Sequence, residues 1–279
     1  MGYLRFTSLT LLLIGAATLG AQPAVPSFEV ASIKVSTEPG GALGQVAPDR
    51  FRMSGGMIPT LIAYAYDLPR FQIVGGSDWM NTERFDVDAK AASAQTAEQM
   101  RLMLQRLLAE RFRLKSRVEK REMSAFALRV ARLDGRLGNQ MKPTVVDCRP
   151  IRVAHDAGNP RLGIAADGPP ICTTRMVGQP TANGVVVRLL TSGMTVPQFG
   201  AWLSRYVGRP VVDQTSLMGE FDIELSFNVE TLAPSSAGGV GDDPPVVTAV
   251  QEQLGLRMVS TRAPADVIVI ESVERPSVN

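Results

Sequence analysis

One histidine, two cysteines and four strand-borne carboxylates are the residues whose types and spacing could support chemistry. Ser-His-Asp or Cys-His catalysis would have to run through His155, which lies in a stretch rich in Gly and Pro and reads as a loop histidine. A single His and two Cys give too few nitrogen and sulfur donors for a transition-metal site, so no metal is expected. The carboxylates come in two pairs, Asp86 with Asp88 and Asp222 with Glu224. Residues two apart on a strand share a face, so each pair could form an acid/base dyad, or line a solvated sheet face. Asp213 with Asp242 and Asp243 is too scattered an oxygen set for calcium. Gly238-Gly239-Val240-Gly241 lacks the Gly-Lys-Ser/Thr of a phosphate loop and reads as linker. No catalytic residue and no cofactor are assigned.

The totals narrow the function classes. The 279 residues suffice for two small cores, and 45% hydrophobic with 20% charged residues fit a globular protein. The net charge is +2 with both signs interleaved, whereas a nucleic-acid binder concentrates its Lys and Arg. The dense basic run, Arg111 to Arg117, alternates apolar and basic residues like a strand with one wet face. No nucleic-acid partner is expected.

Positioning these residues requires one set of strands and helices, used twice. Gly56-Met57 recurs as Gly193-Met194 at an offset of 137 (194 − 57), and Phe85-Asp86-Val87-Asp88 as Phe221-Asp222-Ile223-Glu224 at 136 (221 − 85). Phe112-Arg113-Leu114 and Leu256-Arg257-Met258 lie 144 apart (256 − 112). Two copies of one module follow. Each reads β-α-β-β-α-β-β: an α+β fold of two related modules, each a mostly antiparallel sheet with two helices on one face.

Along the chain, residues 1–21 read as a signal peptide, with Arg5, an apolar run Leu9 to Leu19 and a small-residue end at Ala21. No membrane span is expected in the mature chain, which is placed outside the cytoplasm, periplasmic or secreted. Residues 22–132 form the first module with an N-terminal strand. Its long helix, Ala97 to Arg111, opens with a Thr96–Gln99 capping box. Phe112–Glu119 and Ser124–Arg132 are expected to form a hairpin about Lys120-Arg121-Glu122. Residues 133–183 have loop composition and hold both cysteines; in an oxidising compartment Cys148 and Cys172 pair. Residues 184–279 form the second module, whose strand Phe221 to Phe227 alternates apolar and polar residues.

Trp79, in a turn after Gly75-Gly76-Ser77-Asp78, either covers the first core or, with Asp78, contacts a partner. Leu217-Met218 near the same place in the second copy supports packing.

Phe28-Glu29-Val30-Ala31-Ser32-Ile33-Lys34, Ile73 to Trp79, Arg84 to Lys90, Arg101 to Leu114, Gly208 to Thr215 and Gln251 to Leu256 carry a family resemblance. Together they resemble a soil-associated family of uncharacterised secreted bacterial proteins, expanded in Acidobacteria. Similar domains occur behind membrane-bound metallopeptidases of the antibiotic-sensor type, and the module is similar in plan to N-terminal domains of secretins and TonB-dependent receptors. The resemblance implies sensing or binding outside the cell; no His-Glu-x-x-His motif is present to carry peptidase activity over. The expectation is a non-enzymatic binding protein with an unknown envelope or extracellular partner. The alternative is a carboxylate-dependent hydrolase of an extracellular polymer, which needs two carboxyl groups across a cleft.

Overall fold

The computed structural model describes residues 26–38, 40, 43–151, 172–181, 184–229 and 244–276. The signal segment, His155, the glycine run at 238–241 and Asp242-Asp243 lie outside them. Among the described residues no helix is long and apolar enough to cross a membrane.

The architecture is α+β, built from three four-stranded sheets. The first holds β1 (Val30–Ser36), β2 (Leu43–Ala47), β3 (Arg50–Gly56) and β5 (Arg84–Lys90), in the antiparallel order β1-β5-β3-β2. The third repeats that plan with β7 (Met141–Pro143), β8 (Thr174–Thr181), β9 (Gly184–Thr195) and β11 (Glu220–Val229), in the order β7-β11-β9-β8. Between them lies a sheet to which each half of the chain contributes equally. Its two middle strands are β6 (Lys115–Val130) and β12 (Leu256–Ser272), antiparallel from Leu256 opposite Val130 to Ser272 opposite Lys115. The short strands β4 (Ile73–Gly75) and β10 (Val211–Asp213) add in parallel, each beside the long strand of the other half.

This corrects the expected hairpin about Lys120-Arg121-Glu122. Lys115–Val130 is one strand, and so is Leu256–Ser272. Lys120-Arg121-Glu122 offers no residue suited to a tight hairpin turn. Its charge reflects position instead: it lies between the two cores, Lys120 and Arg121 are exposed, and Lys120 faces Asp266 at 3.9 Å. Pro264 sits opposite Glu122, where β12 has no further strand to donate to, so its missing N–H costs no ladder bond on that side. Three further stretches read as loop are edge strands: β2, and β7 and β8 inside the 133–183 segment. Gly178 and Pro180 are tolerated in β8 because it lies at a sheet edge.

The helices form where capping and spacing direct. α1 (Ile58–Ala65) carries Pro59 in its first turn, and α2 (Ala97–Arg111) opens on the Thr96–Gln99 capping box. α3 (Val196–Val207) repeats that box with Thr195 and Gln198, and α4 (Val246–Leu254) ends on Gly255 at φ 69°. At the end of α2 the left-handed residue is Arg113, φ 49°, with Leu114 N–H reaching back to Leu108 O at 3.2 Å. Phe112–Leu114 is therefore a helix-ending turn, not the start of a strand. Arg113 corresponds to Gly255, so the true offset there is 142 (255 − 113), two less than the sequence match suggested.

Each half covers the inner face of its outer sheet with two helices, but neither core is made by one half. The first core gathers Phe51, Met53, Phe85 and Val87 under α1 and α2, and adds Ile268, Ile270 and Val273 from the other half. The second gathers Leu189, Ile223, Leu225 and Phe227 under α3 and α4, and adds Leu128 from β6. Cys148 and Cys172 are bonded, and Cys148 is buried against Gly193 of β9.

Two outcomes follow. Each core holds one tryptophan at its margin, Trp79 or Trp202, so the single-tryptophan variants W79F and W202F report on opposite halves. Urea unfolding followed by fluorescence should give coincident midpoints, and I268A should shift both, costing about 2–5 kcal/mol. Replacing both cysteines by serine opens a crosslink spanning 24 residues and should cost on the order of 3 kcal/mol in a denaturant titration.

Candidate functional site

The carboxylates singled out in the sequence sit on the outer faces of the two outer sheets, and the same arrangement recurs on both. Outward positions of β5 carry Asp86, Asp88 and Lys90 because the alternate positions, Phe85, Val87 and Ala89, are buried. Asp88 accepts two hydrogen bonds from Arg50, Nε and Nη2 at 2.7 Å each, and one from Arg52 Nη2 at 3.1 Å. On the other outer sheet Arg188 Nη2 donates to Glu224. Asp88 and Glu224 are 136 apart (224 − 88), the Phe-Asp offset, and Arg50 and Arg188 are 138 apart (188 − 50), the offset that separates the left-handed glycines Gly55 and Gly193 of β3 and β9.

Asp86 and Asp222 share a second role. In each half a glycine with left-handed φ interrupts the strand register: Gly55 at 57° and Gly193 at 75°. Its buried N–H needs an acceptor. Asp86 Oδ1 accepts from Gly55 N at 2.7 Å, and Asp222 Oδ1 from Gly193 N at 3.2 Å. Thr144 Oγ1 also donates to Asp222 Oδ1, at 2.5 Å. Gly193 has a further constraint, because an added Cβ would lie 2.3 Å from Cys148 Sγ.

These contacts bear on the chemistry available. The Arg50 guanidinium, hydrogen-bonded to Asp88, holds its carboxyl below the ordinary carboxylate range, and Arg52 adds to the effect against partial burial. Asp88 is thus ionised and occupied. A general acid needs the opposite shift. Among the described residues no group of three His, Cys, Asp or Glu side chains could hold a metal.

Both outer faces are concave. The first encloses about 630 Å³ between Val30, Ser32, Lys34, Arg52, Ser54 and Lys90. The second encloses about 570 Å³, lined by Gln140, Arg175, Gln179, Val186, Arg188 and Leu190 among others. Lys34 stands opposite Asp86 in the strand register, and Lys142 stands opposite Asp222. The two halves therefore agree in Arg, acid, second acid, lysine and glycine.

Trp79 is elsewhere. It lies in the short 3-10 turn Asp78–Asn81, packs edge-on against Phe85 with centroids 6.0 Å apart, and is covered by Arg275 at 5.3 Å. Glu83 holds Arg275 in place through three short contacts of 2.6 to 3.1 Å. Asp78 is exposed beside it. The structure thus puts Trp79 at the margin of the first core and brings neither residue to the concave faces.

Arg50, Arg188, Lys34 and Lys142 were not singled out in the sequence. Their equivalence rests on strand register: Arg50 and Arg188 lie 138 apart, one more than the Gly-Met landmark, and correspond because β3 pairs with β5 as β9 pairs with β11.

Fold and faces together define an internally duplicated α+β protein with two like, open, charged sheet faces. The chain belongs to the DUF3738 family, proteins of unknown function, whose match spans residues 59–273 and so covers both halves. No curated protein and no solved structure matches it.

The Arg50–Asp88 pair predicts a pH dependence. The folded-state pKa of Asp88 is lowered from 3.8, so its contribution to stability is present above the unfolded value and lost as pH falls through the depressed folded value. D88N should therefore lower the melting temperature at neutral pH, and the gap from the native protein should close as pH falls below the ordinary aspartate value of 3.8 and on through the lowered one. Thermal melts across that range check it.

Proposed function

We propose that this protein is a non-enzymatic binding protein, exported from a soil bacterium of the kind its sequence resembles, and that the concave outer sheet faces are its ligand surfaces. One observation carries the reading: the carboxylates available for catalysis on those faces have the same structural partners in both halves. Asp88 and Glu224 neutralise Arg50 and Arg188, and Asp86 and Asp222 accept from strand glycines. What the faces leave to a ligand is concavity, hydroxyl and amide groups, and cations. The Cys148–Cys172 bond suits an oxidising compartment, which supports export and a place in the periplasm or outside the cell. Its partner is an envelope or extracellular component.

The test is a thermal-shift screen of the protein against peptidoglycan fragments, neutral and acidic glycans, peptides and metal ions. A ligand at a hundred times its Kd should add about 2.7 kcal/mol to stability. The shift should vanish when a groove is filled by S32W or V186W. Polymer cleavage that is lost in D222N, with no groove-dependent shift, would instead establish the hydrolase alternative.

A further inference from the structure

We propose that the two outer sheet faces are equivalent sites for one acidic polysaccharide, a polymer of carboxylated sugars, held by both faces at once. The inference rests on the binding reading above and names the ligand class.

Charge comes first. On the first face four cations, Lys34, Arg50, Arg52 and Lys90, stand against two carboxylates. Asp88 is taken by the two arginines and Asp86 by Gly55 N–H. Lys34 and Lys90 are exposed and, among the described residues, lie in no ion pair. The second face is similar but less basic, with Arg175 and Arg188 in the groove and Lys142 beyond its lining, opposite Asp222, against two carboxylates: Glu224 is taken by Arg188, and Asp222 by Gly193 and Thr144. Lys142 and Arg175 remain, and the Nε of Arg175 is enclosed without a hydrogen-bond partner. Each face therefore keeps two cations for an anionic visitor.

Spacing comes next. Lys34 lies opposite Asp86, four residues along β5 from Lys90, which separates the two ammonium-bearing positions by roughly 13 Å. That span exceeds one carboxylate or phosphate and fits successive charges of an extended polymer. Ser32 and Ser54 line the groove beside these cations and can hydrogen-bond sugar hydroxyls. No aromatic side chain lines either groove, so neither offers the stacking platform that single-stranded nucleic acid uses.

Duplication supplies the third strand of the argument. Two like sites on one body raise apparent affinity for a partner that repeats its own anionic group, and do nothing for a lone small anion. The sites sit on sheets at the two ends of the β6–β12 ribbon, which extended measures roughly 50 Å, a distance a polymer can cover.

The experiment immobilises polygalacturonate and passes over it the purified protein, the variants K34E/K90E and K142E/R175E, and the four-fold combination. Neutral dextran and duplex DNA are the comparison surfaces, and circular dichroism with thermal melts establishes that each variant is folded. The native protein should bind polygalacturonate but not dextran, and added salt should weaken binding. Each double variant should lose on the order of a hundredfold in apparent affinity, and the four-fold variant should not bind. No binding to polygalacturonate, binding indifferent to both double variants, or tighter binding to DNA would overturn the proposal. If polygalacturonate fails while another ligand from the thermal-shift screen is lost in K34E/K90E, the ligand class is wrong and the binding reading stands. If no ligand depends on either face, both fall.

Discussion

The pairing of β6 with β12 is the constraint on which the rest of the molecule depends. It runs the length of both strands, and each strand serves two cores: its beginning belongs to its own half and its end to the other. Ile268 and Ile270 lie under α1 and α2, although they enter the chain more than 150 residues after those helices. A long antiparallel ladder also orients what it joins. The two outer sheets are held as symmetric counterparts because they are attached to opposite ends of one ribbon.

That symmetry gives the outer faces their meaning. A single Arg–carboxylate contact on an exposed strand contributes little, and one such pair would be unremarkable. Here the pair, the glycine-bound second acid and the flanking lysine recur at matching positions in halves whose sequences otherwise differ widely. Part of the repetition is structural. The Gly55 and Gly193 amides are buried by the register shift and need an acceptor, which Asp86 and Asp222 supply. Lys34 and Lys142 have no such duty on the sheet, and strand geometry does not account for their recurrence.

The Cys148–Cys172 bond belongs to the same frame. It joins two points within the 133–183 segment, one after β7 and one before β8, and presses Cys148 against Gly193, next to the contact between Asp222 and Thr144. The segment is thereby anchored where the second half's strand is interrupted. Trp79 plays a comparable part at the first core, wedged against Phe85 beneath the Arg275–Glu83 pair.

Sequence alone determined the local features, the capping box at Thr96 and the alternation of Phe221 to Phe227, and it also revealed the duplication. The local features depend on residues within a turn or strand of one another, so short-range chemistry decides them, whereas the duplication is visible because like residues recur some 137 positions on. The tertiary structure decided which edges meet. Alternation tells which face of a strand is buried but not whose backbone lies beside it, so one long swapped strand and a local hairpin look alike in Lys115–Val130. For the same reason Arg50 and Asp88, 38 residues apart, could be joined only once the β3–β5 register was known.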